Sequence, residues 1–497
     1  MKAIIVGGGV AGLAAAIRLR AANYEVEIFE KNSSLGGKMS VIKEAGFTFD
    51  KGPTIVMMPQ VYKEVFIAAG KDPDKYISME ELDPIYRLYF TKEEQVNISN
   101  NMAELTGYLE SVSEQDAKGF YKYLADIYKR YLIAKNDFIE KSFHGPFDFY
   151  NPKTLYKAMQ LKTFDDAYSS IARYVKDDKL RKMLSFQTLY IGISPYNGPS
   201  IYTIIPMIEL IYGVWYMKGG MNTYAKAMEK LALELGVKIH LDQEVEEIVI
   251  ENNQVKGIMV RERFIPTDQV LCNADFPYAI SKLVKDKKTK GKYTDKKINN
   301  MDYSCSGYLL YLGLNRKIEN MELHNVIFSK DFKGNIEDIF SRKLPEDPSI
   351  YVYSPSRIDP SMAPEGQEGL YILVPVPSLK GGEELYGAEK IKEYRKLVLA
   401  KISDYFAIDD IEGSIVFEKS MNPEDFVSDY NSYYGAAFGL APTLFQSNYF
   451  RPKIKSSCKG LFFAGSSVHP GAGVPIVLTS AKLAAEDMIL EKNEEKK

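Results

Sequence analysis

At 497 residues the chain is too long for one simple core, so two or three domains are expected. Its 63 Lys and Arg nearly balance 66 Asp and Glu, and a net charge of −3 gives no electrostatic case for nucleic acid. Cys272, Cys305 and Cys458 lie far apart without C-x-x-C spacing, which reads as free thiols in a reducing compartment, and the four histidines are too scattered for a metal motif. The first elements along the chain carry most of the information. Ala3 to Val6 is predicted as a buried parallel strand, Ala11 to Ala22 as an Ala/Leu-rich helix and Tyr24 to Phe29 as the next strand. Between strand and helix, Gly7, Gly9 and Gly12 are spaced G-x-G-x-x-G, with Val10 and Ala11 opening the helix. Gly7 permits the tight turn, Gly9 lets a pyrophosphate approach the backbone, and Gly12 lets helix and strand pack closely. The helix N-terminus offers free N–H groups and a positive dipole end to the phosphates. Glu30, 18 residues after Gly12, can accept the ribose hydroxyls of a dinucleotide. A secretory signal peptide would explain neither the glycine spacing nor Glu30, and Arg18 and Arg20 interrupt its apolar run, so none is expected.

After Glu30 and Lys31, Gly36, Gly37 and Lys38 place more bare backbone and a positive charge beside the phosphates. Asp50-Lys51-Gly52-Pro53-Thr54 is a rigid loop within reach of the same site. From Tyr121 to Lys162, eight Lys and Arg stand against four Asp and Glu, interleaved with Tyr128, Tyr131, Phe138, Phe143, Phe147, Phe149, Tyr150 and Tyr156, with Phe164 just beyond. That mixture suits an interfacial segment beside anionic lipid, and equally a solvated helical face with an aromatic core side. Ile201 to Met217 is apolar but short for a membrane span and contains Pro206 and Glu209, so it is read as an internal helix pair rather than a transmembrane helix. From Lys218 a helix to Leu235, a strand Val237 to Leu241, a hairpin Glu244 to Ile250 with Val255 to Val260, and a strand Gln269 to Asn273 leading into Ala274-Asp275 are expected. Near the end, a buried strand Leu461 to Ala464 runs into Gly465, then Ser466 to Pro475, then a helix Ile476 to Glu491. Glycine loop and helix N-terminus make a second anion-friendly corner, in which Gly473, Val474 and Pro475 could hold the ribityl and isoalloxazine half of a flavin. The last residues, Glu491 to Lys497, read as a frayed end. The abundance of aromatics, 35 Tyr and 25 Phe against one Trp, suits a long apolar passage, or simply a Tyr-rich core.

The N-terminal fingerprint, E-x5-G-G-K, the Gly52-Pro53-Thr54 loop and F-A-G-x-x-x-H-P-G-A-G-V-P over residues 463–475 together resemble the bacterial carotenoid desaturases of the phytoene desaturase family. Gly213 to Met221, Phe186 to Ile193 and Gly435 to Gly439 match it too, so the resemblance covers nearly the whole chain, and it is strongest to the C30 branch acting on 4,4'-diapophytoene. It implies an α/β fold, in which a Rossmann-type FAD-binding domain of the amine-oxidase superfamily carries an inserted α+β substrate domain. Residues 1–84, 218–289 and 446–497 would form the FAD-binding part, and 85–217, facing the membrane, with 290–445 the substrate part. By the same resemblance Val245 presents its backbone to the adenine and Ala274 joins the cofactor set.

The implied reaction is stepwise desaturation of a long-chain isoprenoid, 4,4'-diapophytoene to diaponeurosporene or diapolycopene. A hydride from an allylic CH2 goes to flavin N5 and the neighbouring carbon loses a proton. Such a substrate would cost ~0.8 kcal/mol per CH2 in water, on the order of 20 kcal/mol over its length. The enzyme is therefore expected as a peripheral protein on the cytoplasmic side of the cell membrane. The proton acceptor is left open among His469, in the C-terminal loop, Glu209, in the apolar stretch, and Asp148, with Lys153 nearby in sequence. Oxidation of a carotenoid terminal methyl group, amine oxidation of a soluble substrate and a non-enzymatic binding role are the competing readings. Oligomeric state and electron acceptor stay open.

Overall fold

In the computed structural model, which describes residues 1–495, both ends and the middle of the chain contribute to one parallel sheet. Its five strands run in the order Leu461–Phe463, Gln269–Cys272, Lys2–Val6, Glu25–Phe29, Lys238–His240. Ile4, Ile5, Val26, Ile28, Val270, Leu271 and Phe462 are buried, as expected for strands covered on both faces. The helices Val10–Ala21 and Val474–Glu495 pack side by side, and the Tyr24 hydroxyl and Gln269 amide both donate to the Met488 carbonyl. The last helix runs four residues past its expected end at Glu491. The Glu491 carboxylate accepts from Gly460 N and Gln269 Nε2 and pairs with Lys455, which ties down its final turns. Lys496 and Lys497 of the expected frayed end lie outside the described residues. The expected hairpin gains a third antiparallel strand, Arg263–Pro266, beside Glu247–Glu251 and Gln254–Val260.

A second, mixed sheet has seven strands in the order Ile415–Met421, Ser306–Leu314, Glu368–Val376, Ile350–Tyr353, His324–Ile327, Tyr86–Tyr89, Gln95–Ile98. In its long central strand Tyr308, Leu310 and Leu312 join the core around the helix Ala388–Tyr405, while Leu309 and Tyr311 turn to the other face with Phe47, Phe49 and Tyr371. That alternation makes this face one wall of an internal cavity.

Helices roof the other side. Glu114–Ala134 starts at Ser113, whose hydroxyl accepts from Asp116 N. Two short helices, Pro146–Phe149 and Pro152–Gln160, follow. The stretch Ile201 to Met217 is not a helix pair. It is one helix, Ile204–Tyr212, after a short 3-10 turn, and then a strand, Trp215–Met217. Gly213, at φ +74°, stops the helix, and a side chain there would meet Glu81 at 2.5 Å. Among the described residues no helix is long and apolar enough to cross a membrane.

Candidate functional site: a dinucleotide cradle opening into an apolar cavity

One continuous cavity of about 800 Å³ begins at the glycine fingerprint and reaches the second sheet. Its first part is lined by backbone. Gly7, Gly9, Val10, Ala11, Glu30, Lys31, Gly36, Gly37, Lys38, Gly52, Pro53, Thr54, Val245, Ala274, Gly465, Ser466, Gly473, Val474 and Pro475 all face it. Gly12 does not. It sits behind the wall, where a Cβ would come within 2.2 Å of the Gly7 carbonyl oxygen, so its role is close packing of helix on strand. The second glycine pair packs on the first: Gly36 N donates to Gly8 O at 2.9 Å, and a Cβ on Gly37 would stand 3.3 Å from the Gly9 Cα. A Cβ on Gly9 would come within 2.8 Å of Asn273 Oδ1. The Glu30 carboxylate is buried, accepting from Gly8 N and Asn32 N at 2.8 and 2.9 Å, which fixes it at the rim of the cradle.

The two lysines turn elsewhere. Lys31 Nζ donates to the Ser428 carbonyl and Asn431 Oδ1, and Lys38 Nζ donates to the Ala437 carbonyl at 2.7 Å. Burial lowers the pKa of both. They brace the cradle against residues 428–437.

Two residues that the sequence did not single out join the distant segments. Asn273 Oδ1 accepts from Gly12 N at 3.0 Å while its Nδ2 donates to Ala464 O at 3.0 Å, so one amide fastens the fingerprint helix to the C-terminal strand. Arg451 is 1% exposed, and its guanidinium donates to the carbonyls of Leu440, Gln446, Ser466 and Val468. Burial pulls its pKa down to about 10. No local pattern marks either residue, since Arg451 stands in a mixed stretch of polar, aromatic and basic residues.

Beyond the cradle the wall becomes apolar. Ile201, Ile204, Ile205 and Ile208 come from the roof, Leu309 and Leu373 from the sheet, and Phe186, Phe328 and Phe332 from the deep end. Hydroxyl-bearing residues on this part include Tyr131, Tyr190, Tyr202, Tyr351 and Tyr371, with Thr54 at its border with the cradle.

None of the three acid–base candidates lines the cavity. Glu209 shares a helix with Ile204, Ile205 and Ile208 but points off their face. It is wholly buried, accepts from Gln187 Nε2 at 3.0 Å and Tyr86 Oη at 3.3 Å, and burial raises its pKa to about 8. His469 Nε2 bonds the Lys141 carbonyl at 2.8 Å, the ring lies edge-on to Phe143, and burial lowers its pKa to about 4. This neutral imidazole clips the roof to the C-terminal loop. Asp148 is exposed and caps its short helix by accepting from His144 N and Gly145 N, which lower its pKa, and Lys153 is exposed on the surface.

The sequence pattern of the flavin containing amine oxidoreductases matches residues 10–489. The chain belongs to that family. Its members' flavin fits the cradle, where Gly7, Gly9, Gly36, Gly37, Gly52, Gly465 and Gly473 bring backbone to the cavity wall, and the enzyme is a flavin-dependent oxidoreductase with FAD as its cofactor. The 4,4'-diapophytoene desaturase (4,4'-diaponeurosporene-forming) of Staphylococcus haemolyticus (strain JCSC1435) is 48% identical over 494 residues, 98% of this chain and 99% of that protein. The enzyme of the same name from Staphylococcus aureus (strain Newman) is 46% identical over 495 residues, with 98% and 99% covered. Among solved structures, an oxidoreductase from Methanosarcina mazei superposes with a TM-score of 0.66 at 18% identity, covering 98% of this chain and all of that one. Putrescine oxidase bound to putrescine superposes with 0.64 at 13%, covering 99% of each. These two share the family fold.

Proposed function

We propose that this enzyme desaturates a linear C30 isoprenoid, converting 4,4'-diapophytoene stepwise toward 4,4'-diaponeurosporene. One observation carries the reading: relatives bearing that activity in their names are 46–48% identical from end to end. The long apolar cavity behind the dinucleotide cradle agrees with it. When bound, the flavin supplies the hydride acceptor for an allylic CH2. The chain's own work is to hold and orient. Gly7, Gly9 and the N–H groups opening the Val10–Ala21 helix take the pyrophosphate, Glu30 the ribose, and the backbone of Val245 and Ala274 the adenine end. Gly465, Ser466 and Gly473 to Pro475 receive the ring half, and the helix beginning at Val474 turns its positive end into the cavity, favouring an electron-rich flavin. The isoleucines and phenylalanines exclude water and align the polyene. In this reading residues 1–84, 218–289 and 446–497 are the flavin half, and 85–217 and 290–445 the substrate half, a division supported by the membership of the two sheets.

The enzyme docks on the cytoplasmic face of a membrane as a peripheral protein. Support comes from a set of bare apolar side chains on one stretch of chain, Phe147, Tyr150, Tyr156, Met159 and Phe164, joined by Phe445, whose ring meets Phe450, which in turn packs on Phe149. Much of the Tyr121 to Lys162 stretch does not belong to it. Tyr131, Phe138, Phe143 and Phe149 are buried, and so is Arg130, which pairs with Asp126 and donates to Leu161 O and Ser200 Oγ.

The test is purification in detergent, a flavin spectrum, and incubation with C30 and C40 precursors in liposomes. A yellow holoenzyme that turns the C30 precursor into a coloured polyene is expected. Colourless precursor recovered unchanged overturns the proposal, and an oxidised terminal methyl group redirects it.

A further inference from the structure

Two of the hydroxyls on the cavity wall lead inward. Thr54 Oγ1 and Tyr351 Oη share a hydrogen bond of 2.6 Å, and Tyr351 Oη lies 2.7 Å from Nδ1 of His324. Thr54 and Tyr351 line the cavity, while His324 is 1% exposed. Its ring is stacked with Tyr351 and Tyr353, centroids 5.9 and 5.1 Å away, and its Nε2 has no hydrogen-bond partner among the described residues. Burial keeps the imidazole neutral, its pKa lowered to about 3, and keeps the Tyr351 phenol protonated. What sets this ring apart is its neighbour: its bonded nitrogen meets a phenol that itself lines the cavity, whereas the bonded nitrogen of His469 meets a backbone carbonyl. Glu209 Oε2 is bonded to Gln187 and Tyr86, and neither of these lines the cavity, so no hydrogen-bonded path leads from that carboxyl to the wall among the described residues.

Resting on the desaturation reading above, we infer that Thr54, Tyr351 and His324 form the proton relay of the reaction. The C–H bond next to the hydride-donating carbon breaks and its electron pair becomes the new C=C bond. Its proton passes to Thr54 Oγ1, as the Thr54 proton passes to Tyr351 Oη and the Tyr351 proton to His324 Nδ1. The other hydrogen leaves as the hydride that the flavin accepts, so the substrate loses two electrons and two protons in all. A weak base suffices, because a proton beside an electron-deficient carbon is strongly acidic. The imidazolium returns its proton along the same chain to water entering between rounds. Thr54 is the catalytic residue of the three, and Tyr351 and His324 act through it.

With only four histidines in the chain, nitrogen-15 histidine labelling of the holoenzyme gives few ring signals, and His324→Phe, which keeps an aromatic ring in the stack, identifies the one of interest. The expected state at pH 7 is Nδ1 unprotonated and Nε2 protonated, with the Nδ1 resonance moving in Tyr351→Phe. A protonated Nδ1 overturns the relay, since no lone pair is then available to take the proton. In turnover, Tyr351→Phe, Thr54→Val and His324→Phe should each slow desaturation by about 100-fold or more at full flavin content and lose the solvent deuterium isotope effect, and Thr54→Ser should restore both. Wild-type rates in Tyr351→Phe also overturn the relay and leave the desaturation reading standing. A wild type that makes no polyene defeats that reading itself. The tautomer is measured on wild-type protein, so a variant that fails to fold does not shelter the relay.

Discussion

Replacing Phe147, Phe164 and Phe445 together by serine should detach the enzyme from lipid without unfolding it. These rings are 86%, 83% and 76% exposed, so they contribute little to the core. Burying a Phe side chain fully is worth ~1.5–3 kcal/mol, and three would give roughly 4.5–9 kcal/mol. A segment lying in the headgroup region buries its apolar face only partly, so about 3 kcal/mol is the reasonable loss, a factor of about 100 in the partition coefficient. Exposed substitutions of this kind usually shift stability by less than ~0.5 kcal/mol. Flotation with liposomes at fixed lipid concentration, for wild type and triple variant, gives the ratio directly, and thermal melting checks the fold. A ratio within twofold of unity, at an unchanged melting temperature, would refute the docking surface.

Gly9→Val should give a folded, colourless protein, because the new side chain collides with Asn273 Oδ1 and displaces the fingerprint turn at the cradle; retained flavin absorbance would contradict the site. Glu209→Gln should change how stability depends on pH. The folded-state carboxyl titrates near 8, above its ordinary range, so wild type is at full stability below about pH 4.5 and loses it as pH rises through 8, by up to about 4–5 kcal/mol. The variant should therefore melt higher than wild type at pH 9 and converge with it at pH 5, and parallel profiles would count against a buried neutral acid. Arg451→Met orphans four buried carbonyls and should cost about 3–5 kcal/mol and weaken flavin binding. Arg451→Lys should rescue little, because an ammonium cannot reproduce the guanidinium fork; melting temperature and flavin occupancy measure both.

The glycine turn, the helix it opens and the acid that follows were legible because each depends on neighbours in the chain. Strand Lys2–Val6, helix Val10–Ala21 and strand Glu25–Phe29 stand within a residue or so of their expected bounds. The apolar run around Glu209 was readable as internal, but a helix greasy on all sides gives no signal as to which side meets a cavity. Arg130 shows the same limit in reverse: its amphipathic helix suggested a lipid-facing charge, and Asp126, Leu161 and Ser200 draw it inside.

Sequence alone determined a glycine turn opening a helix at the start of the chain and a second glycine corner at its end, since spacing and the lack of a side chain are local properties. Only the tertiary structure decided what lies between them. Asn273 reaches 261 residues back to Gly12, Thr54 meets Tyr351 across 297, and Arg451 gathers four carbonyls that no short pattern links. Hydrogen bonds of that kind are chosen by burial, because a polar group shut away from water takes whatever partner the fold brings within reach.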